Sequence, residues 1–350
     1  MKKILKVIGI LLLILLILLL LAVCGCFIYQ KSAQKKDRAL LEEGGYCNLV
    51  SAGDYEMNVN IFGDGKYKII AMPGSGDVWF PVDMKQFSAH LDDDISLVVV
   101  SRPGYGLCTE TDKEVTTEYI VESTRTALKN AGVEAPYILM PHSLSGIYGT
   151  YWESTYPDEI SGVIFLDSVN EASLLSDGAG MGDSAAYRLF SKSGLARMYI
   201  DLSGYLTGIM SRKFGENTKY ATAFFTVRDI ELSKSAISER RNDASNRKTA
   251  WASIQSNDIP KIYISTNWQT LDDVREYMIF EKGQADEAEA EEWMADEDGA
   301  EETEYRRNRS EYIRKVGNCE EINIPGSHFI YEQKPDEVAD AIRSLIERIK

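Results

Sequence analysis

The run Pro141-His142-Ser143-Leu144-Ser145 sets a serine between compact residues two before and two after it, the steric requirement of a strand-turn-helix that exposes a nucleophile. A serine hydroxyl attacks poorly near neutral pH. Acyl transfer therefore needs a base in contact with it, a group that orients the base, and N–H donors for the developing oxyanion. The chain has 3 histidines, His90, His142 and His328, so candidates for the base are few. His142 neighbours the serine and is expected to project away from it. His90 ends a segment with the pattern of a surface helix. His328 follows a late strand-like segment through the turn Pro325-Gly326-Ser327 and is the expected base. Ser145 is a poorer nucleophile, because bulky Ile147 would stand two residues after it. Taken alone, the run would equally suit a serine that merely caps a helix.

The elements around these residues decide whether they can meet. Residues 57–62 alternate in strand fashion and end in Gly63-Asp64-Gly65, and residues 67–72 read as the next strand, so the two predict a hairpin. Residues 80–91 read as a helix. Residues 95–100 are a continuous apolar run rich in β-branched residues, as in strands buried on both faces of a parallel sheet. Residues 115–131 are amphipathic with Gly132 as a stop, residues 137–140 a strand, 146–156 a helix and 162–166 a strand. Strands alternating with helices at this spacing predict an α/β fold with a mostly parallel sheet. After Asp167 the rhythm gives way, until Pro260, to helical sequence punctuated by Gly and Ser, which predicts an inserted cap over about residues 169–258. Residues 261–265 and 321–324 resume the sheet, and residues 335–349 form a closing amphipathic helix. The Glu/Ala-rich tract 285–304 between them is expected to be a solvated helix or loop. Ser143 and His328 would then lie at one edge of the sheet, where the active sites of open α/β sheets gather.

With these landmarks in order, residues 57–349 resemble the α/β-hydrolase superfamily. Met72-Pro73-Gly74-Ser75-Gly76 is similar to its His-Gly oxyanion loop, with Pro73 in place of histidine. Ser101-Arg102-Pro103-Gly104-Tyr105-Gly106 resembles its Asp-x-x-Gly-x-Gly turn, and residues 141–146 stand where the family has Gly-His-Ser-x-Gly-Gly. Tyr156-Pro157-Asp158, followed by Val163-Ile164-Phe165-Leu166-Asp167, is similar to the family's Tyr-Pro-x-x-Val segment and sixth strand. Gly326-Ser327-His328-Phe329 resembles its Gly-His-Phe ending. The resemblance implies a mostly parallel sheet flanked by helices, a cap after the sixth strand, and hydrolysis of an ester or similar small acyl substrate through an acyl-enzyme. It assigns the oxyanion donors to the backbone N–H groups of Ser75 and Leu144. The common place for the acid, after the seventh strand, holds Ser265-Thr266-Asn267-Trp268-Gln269 and no carboxylate. Asp167, at the end of the sixth strand, is the expected acid, with Asp272 as the alternative. No cofactor and no metal are expected. Acyl transfer or peptidase action on the same fold is a rival reading. So is a catalytically silent binding protein, given Pro73, Pro141 and the missing seventh-strand acid.

At 350 residues with 44% apolar content the chain can bury a sizeable core, and a net charge of -16 argues against nucleic acid as a partner. Five cysteines without metal-ligand spacing give neither a zinc site nor a disulfide framework. Lys2 and Lys3 precede a nearly unbroken apolar run over residues 7–29, after which Lys31, Lys35, Lys36 and Arg38 follow. About 20 such residues span a bilayer. The expectation is an uncleaved transmembrane anchor over residues 1–30, a spacer over 31–45 and a hydrolase domain over 46–350, held at the cell membrane outside the cytoplasm. An anchor joined to a Pro-His-Ser-x-Ser-Gly elbow resembles membrane-tethered hydrolases of Gram-positive bacteria. Val23-Cys24-Gly25-Cys26 also faintly resembles a lipoprotein signal with Cys26 acylated. The length of the apolar run and bulky Phe27 speak against that reading.

Overall fold

A computed structural model describes residues 2–169, 185–228, 233–297 and 300–349. The chain falls into two compact units, Met1–Cys47 with Gly178–Ser233, and Asn48–Asp177 with Lys234–Lys350.

The second unit is built on an 8-stranded sheet of order β1-β2-β4-β3-β5-β6-β7-β8. Its strands are β1 (Leu49–Ser51), β2 (Glu56–Phe62), β3 (Tyr67–Met72), β4 (Ile95–Val100), β5 (Tyr137–Pro141), β6 (Ile160–Leu166), β7 (Lys261–Ser265) and β8 (Cys319–Asn323). β2 runs antiparallel to both β1 and β4, and every pairing from β4 to β8 is parallel. β6 shows why the parallel strands read as unbroken apolar runs. Val163 and Phe165 join the core on one face, Ile164 and Leu166 the core on the other, because successive side chains point to opposite sides. One face is covered by α3 (Thr117–Asn130), α4 (Ser145–Thr155), α10 (Asp243–Ser253) and α13 (Ala300–Val316). The other is covered by α2 (Phe80–Phe87), α14 (Ile330–Gln333) and α15 (Pro335–Ile349), the last burying Val338, Ile342, Leu345 and Ile346 along one stripe.

The expected hairpin between residues 57–62 and 67–72 does not form. β4 lies between β2 and β3, with Val59 opposite Val100 and Ile69 beside Leu97. The reason is in Gly63 and Gly65, where an added Cβ would come within 2.6 Å of the Ile95 carbonyl oxygen and 2.0 Å of the Asp94 carbonyl carbon. These glycines let the backbone pass tightly across the start of β4 instead of turning back on β2. Buried on every residue, β4 takes a central place.

The expected cap is divided between the units. α5 (Ala185–Lys192), α6 (Leu195–Ser203), α7 (Tyr205–Phe214) and α8 (Thr218–Thr226) group with α1 (Lys2–Glu43), whereas α9 (Lys234–Arg241) and α10 belong with the sheet. Residues 170–184 and 229–232 of that stretch lie outside the described residues. Anchor and spacer form the single helix α1, which is long and apolar enough to cross a membrane. The acidic tract is helical in α12 (Glu287–Glu297) and the start of α13, apart from residues 298–299, which lie outside the described residues. It is not solvated all round. Ala290 packs on Val274 and Met278 of α11 (Leu271–Lys282), and the Trp293 ring stacks on Trp268 at 5.8 Å.

Pro141 closes β5 because α4 makes room for it. A Cβ on Gly149 would lie 2.8 Å from Pro141 Cγ. Gly149→Ala is expected to cost about 1–3 kcal/mol by overpacking, read as a lower urea midpoint. In a Pro141→Gly background the same change should be neutral or stabilising, because alanine favours a helix over glycine by up to about 1 kcal/mol. Equal costs in the two backgrounds would show that the proline is not what the glycine accommodates.

Candidate active site

Ser143 stands between the end of β5 and the start of α4 with φ at 52°, a left-handed conformation that a serine adopts only when its surroundings impose it. The imposing contacts come from the end of β6. The Ser143 N–H donates to the Leu166 carbonyl at 3.2 Å, and its own carbonyl accepts from the N–H groups of Gly146 and Val169, both at 2.9 Å. His142 pairs with Leu166 as an isolated parallel bridge. The tightest steric demand falls at Gly146, where a Cβ would come within 2.5 Å of the Val169 carbonyl oxygen and 2.7 Å of Ser168 Cβ. Ser145 is buried rather than merely small, and its hydroxyl donates to the Pro73 carbonyl at 2.5 Å.

His328 and Asp167 come together. His328 Nδ1 lies 2.6 Å from Asp167 Oδ2, and Asp167, with φ at 38°, fixes its own backbone by donating to the Ile264 carbonyl at 2.9 Å. The turn that carries His328 is tied down on either side. Gly326 N–H donates to the Thr266 carbonyl at 3.2 Å and Ser327 N–H to Gln333 Oε1 at 2.6 Å. His142 turns away from the serine into the protein and is 1% exposed. Its Nε2 is 2.9 Å from the His328 carbonyl oxygen, which can only accept, so this nitrogen carries the proton. The two imidazoles sit 4.6 Å apart, and the histidine beside the serine thus supports the backbone of His328. Asp272 is not brought to His328. It opens α11, 83% exposed in its side chain, and pairs with Arg275 at 2.5 Å, while Asp273 completes a capping box with Thr270. His90 contacts Asp336 at 2.7 Å.

The Pro73-Gly74-Ser75 loop packs directly on this turn, since a Cβ on Gly74 would be 3.0 Å from His142 Nδ1 and 3.1 Å from Ser143 Cβ. Its orientation is set from behind by Arg102, which is 3% exposed. Arg102 Nη1 donates to the Pro73 carbonyl at 2.5 Å and Nη2 to the Gly74 carbonyl at 2.6 Å. A trans peptide holds its C=O and N–H antiparallel, so drawing the Gly74 carbonyl toward Arg102 turns the Ser75 N–H the other way. Among the described residues neither that N–H nor the Leu144 N–H has a hydrogen-bond acceptor. An N–H left without an acceptor is what an oxyanion donor requires. Glu239 of α9 holds the guanidinium at 2.8 Å and accepts from the hydroxyls of Tyr105 and Tyr148, each at 2.6 Å. Burial alone would lower the Arg102 pKa. The adjoining Glu239 carboxylate outweighs it and raises the value, keeping the arginine charged. Burial, then Glu239, likewise pushes both tyrosine hydroxyls above their usual range, so they remain donors.

Asp167 and His328 open onto a pocket of about 310 Å³ lined also by Thr266, Asn267, Trp268, Tyr277 and Tyr305. Its aromatic wall comes from residues around α11 and α13, which sequence reasoning did not connect with the site. Glu239 was missed as well, because a lone glutamate in a polar helix carries no mark of its role. Arg102 lay within a quoted motif, and its burial was not legible there.

A left-handed serine at a strand-helix turn, with a histidine–aspartate pair carried by turns at the same carboxyl edge of a mostly parallel sheet, fits the α/β-hydrolase architecture. The chain has the α/β-hydrolase fold. It is 31% identical over 239 residues to YbdG, an uncharacterised protein of Bacillus subtilis (strain 168), a match covering 67% of this chain and 69% of that one. An uncharacterised Schizosaccharomyces pombe protein is 26% identical over 89 residues, 25% of this chain and 17% of that protein. Among solved structures, a thermophilic esterase from Thermogutta terrifontis superposes with a TM-score of 0.54 at 13% identity, covering 87% of this chain and 99% of the esterase. The epoxide hydrolase CorEH gives 0.55 at 15% identity, with 87% and 99% covered. The haloalkane dehalogenase DatA from Agrobacterium tumefaciens C58 gives 0.53 at 15%, with 87% and 97% covered. No family model matches the sequence.

The buried pair behind the loop can be tested by stability. Glu239→Gln leaves a desolvated guanidinium without its anion and is expected to cost about 3–5 kcal/mol in urea denaturation. A loss near zero would mean that this carboxylate does not hold Arg102.

Proposed function

We propose that the chain is a membrane-tethered serine hydrolase that cleaves an ester or similar small acyl substrate through an acyl-enzyme. Ser143 is the nucleophile and His328 takes its proton. Asp167 orients the imidazole and stabilises its charged form, and the N–H groups of Ser75 and Leu144 receive the oxyanion. His328 then returns the proton to the leaving group and activates the water that releases the acyl group. The observation that carries this reading is the 2.6 Å contact between His328 Nδ1 and Asp167 Oδ2, at the end of the strand whose carbonyl fixes Ser143.

The serine narrows the chemistry among the activities that this fold hosts. Attack by a serine oxygen on an epoxide or a haloalkane carbon would leave an ether, which water does not readily cleave. Attack on an acyl carbon leaves an ester, which the same base and oxyanion donors can hydrolyse. The pocket beside Asp167 and His328, with Trp268, Tyr277 and Tyr305 on its wall, offers a place for an uncharged, partly apolar group of the substrate. α1 supplies the tether.

A fluorophosphonate probe applied to membranes holding the full chain should label the wild type and not Ser143→Ala. A folded protein that stays unlabelled would favour a binding role over an enzymatic one. Asp167→Asn should lower turnover of a small ester about 10²–10⁴-fold, with Asp272→Asn close to wild type. Equal activity of both variants would remove Asp167 as the acid. Arg102→Lys, which loses the forked contact to the loop carbonyls, should lower kcat about 10–100-fold with KM little changed. A change confined to KM would assign Arg102 to substrate binding instead.

A further inference from the structure

In the unit that contains α1, the helix α6 is polarised the wrong way for water. Leu195, Met198, Tyr199 and Leu202 stand at i, i+3, i+4 and i+7 and so form one stripe, which a surface helix of a globular protein turns toward its core. Here the stripe faces outward, with Tyr199 65% and Leu202 78% exposed, and Tyr205 at the start of α7 continues it at 70%. The charged face is turned inward. Arg197 donates to Asp37 of α1 at 2.5 Å and to Asp201 at 2.8 Å, and the Thr226 hydroxyl of α8 donates to the same Asp37 at 3.0 Å.

The place where α6 meets α1 gives this inversion its meaning. Met198 Sδ lies 3.4 Å from Cys26 Sγ, and Asp201 accepts from the Tyr29 hydroxyl at 2.8 Å, at the end of the apolar run. The ion pair to Asp37 lies further along, beyond the lysines at 31, 35 and 36. At 1.5 Å per residue the contacts at Cys26 and Asp37 are about 16 Å apart, so α6 covers the level at which a bilayer around α1 would give way to water. Gly194, at the start of α6, permits this approach, since a Cβ there would lie 2.2 Å from the Cys26 carbonyl oxygen.

We propose that α5, α6 and the start of α7 form an interfacial membrane-binding surface that rests in the same bilayer as α1, its apolar stripe sunk into the boundary between headgroups and acyl chains. The occupant of the exposed face is lipid. Tyr199 and Tyr205 are amphipathic residues of the kind enriched at that boundary, and the outward apolar face is continuous with the apolar surface of α1. Arg197, Asp37 and Asp201 satisfy one another on the side turned away from lipid. This inference rests on reading α1 as a membrane span and is independent of the catalytic assignment.

The test uses the full chain reconstituted in phosphatidylethanolamine–phosphatidylglycerol vesicles that carry a diazirine on one acyl chain, with adducts mapped by mass spectrometry after irradiation. Adducts are expected both in residues 7–29 and in residues 189–205. Leu202→Asp should lower those in the second segment about tenfold while leaving the first unchanged. Adducts confined to α1 would overturn the proposal and leave the anchor standing, and a disulfide-linked dimer formed by a Leu202→Cys variant under mild oxidation in the same vesicles would assign the face to a dimer instead. Adducts on neither segment would overturn the anchor and the interfacial surface together, with fluorophosphonate labelling of Ser143 unaffected by that outcome.

Discussion

The candidate site depends on one backbone crossing, where the turn after β5 is strapped to the end of β6. Ser143 cannot relax from its left-handed conformation while its N–H is held by Leu166 and its carbonyl by Gly146 and Val169. A conformation of this kind costs a non-glycine residue on the order of 1–3 kcal/mol, and it persists because the surrounding bonds over-determine it. The same crossing brings the residue that follows β6, Asp167, to the edge where the turn after β8 delivers His328. Pro141 and Gly146 are the two sides of that constraint. One closes the strand against Gly149, and the other leaves the space that Ser168 and Val169 occupy.

Behind this edge lies a second arrangement, which stabilises less than it specifies. Bringing Arg102 and Glu239 out of water carries a desolvation cost that their mutual attraction only partly repays, so hydrophobic replacements of equal volume could match the pair for stability. A hydrophobic side chain, however, could not hold the carbonyls of Pro73 and Gly74. Arg102 spreads its forked donors over both carbonyls and Ser145, and Glu239 is held in turn by two tyrosine hydroxyls. The orientation of the Ser75 N–H follows from that fixed fork, which makes the network a device for direction rather than for strength.

Much of the sheet was legible in the sequence because strands buried on both faces leave unbroken apolar runs, as in residues 95–100 and 162–166. The false hairpin shows where that legibility ends. Gly63-Asp64-Gly65 has the composition of a tight turn, but nothing local distinguishes glycines that reverse a chain from glycines that let it slide past another strand. Ser143, His328 and the choice between Asp167 and Asp272 could be posed from motif order alone. What separates the two aspartates is spatial, since Asp272 is drawn to Arg275 and the start of its own helix. Glu239 stands 137 residues from Arg102 in the chain, a partnership with no local signature.

The helices grouped with α1 present the sharper form of the same difficulty. The spacing of Leu195, Met198, Tyr199 and Leu202 states that α6 has an apolar stripe, and a stripe reads identically whether it is turned toward a core or toward lipid. Only the partner of the opposite face decides. Because Arg197 and Asp201 spend their charges on Asp37 and Tyr29 of α1, the stripe is left outward by geometry, not by any excess of hydrophobic residues. In water that arrangement would leave several large apolar side chains exposed on one short helix, a configuration that natural surfaces avoid unless something covers them. In a bilayer that surrounds the first turns of contact with α1, the same polarity becomes the favourable one.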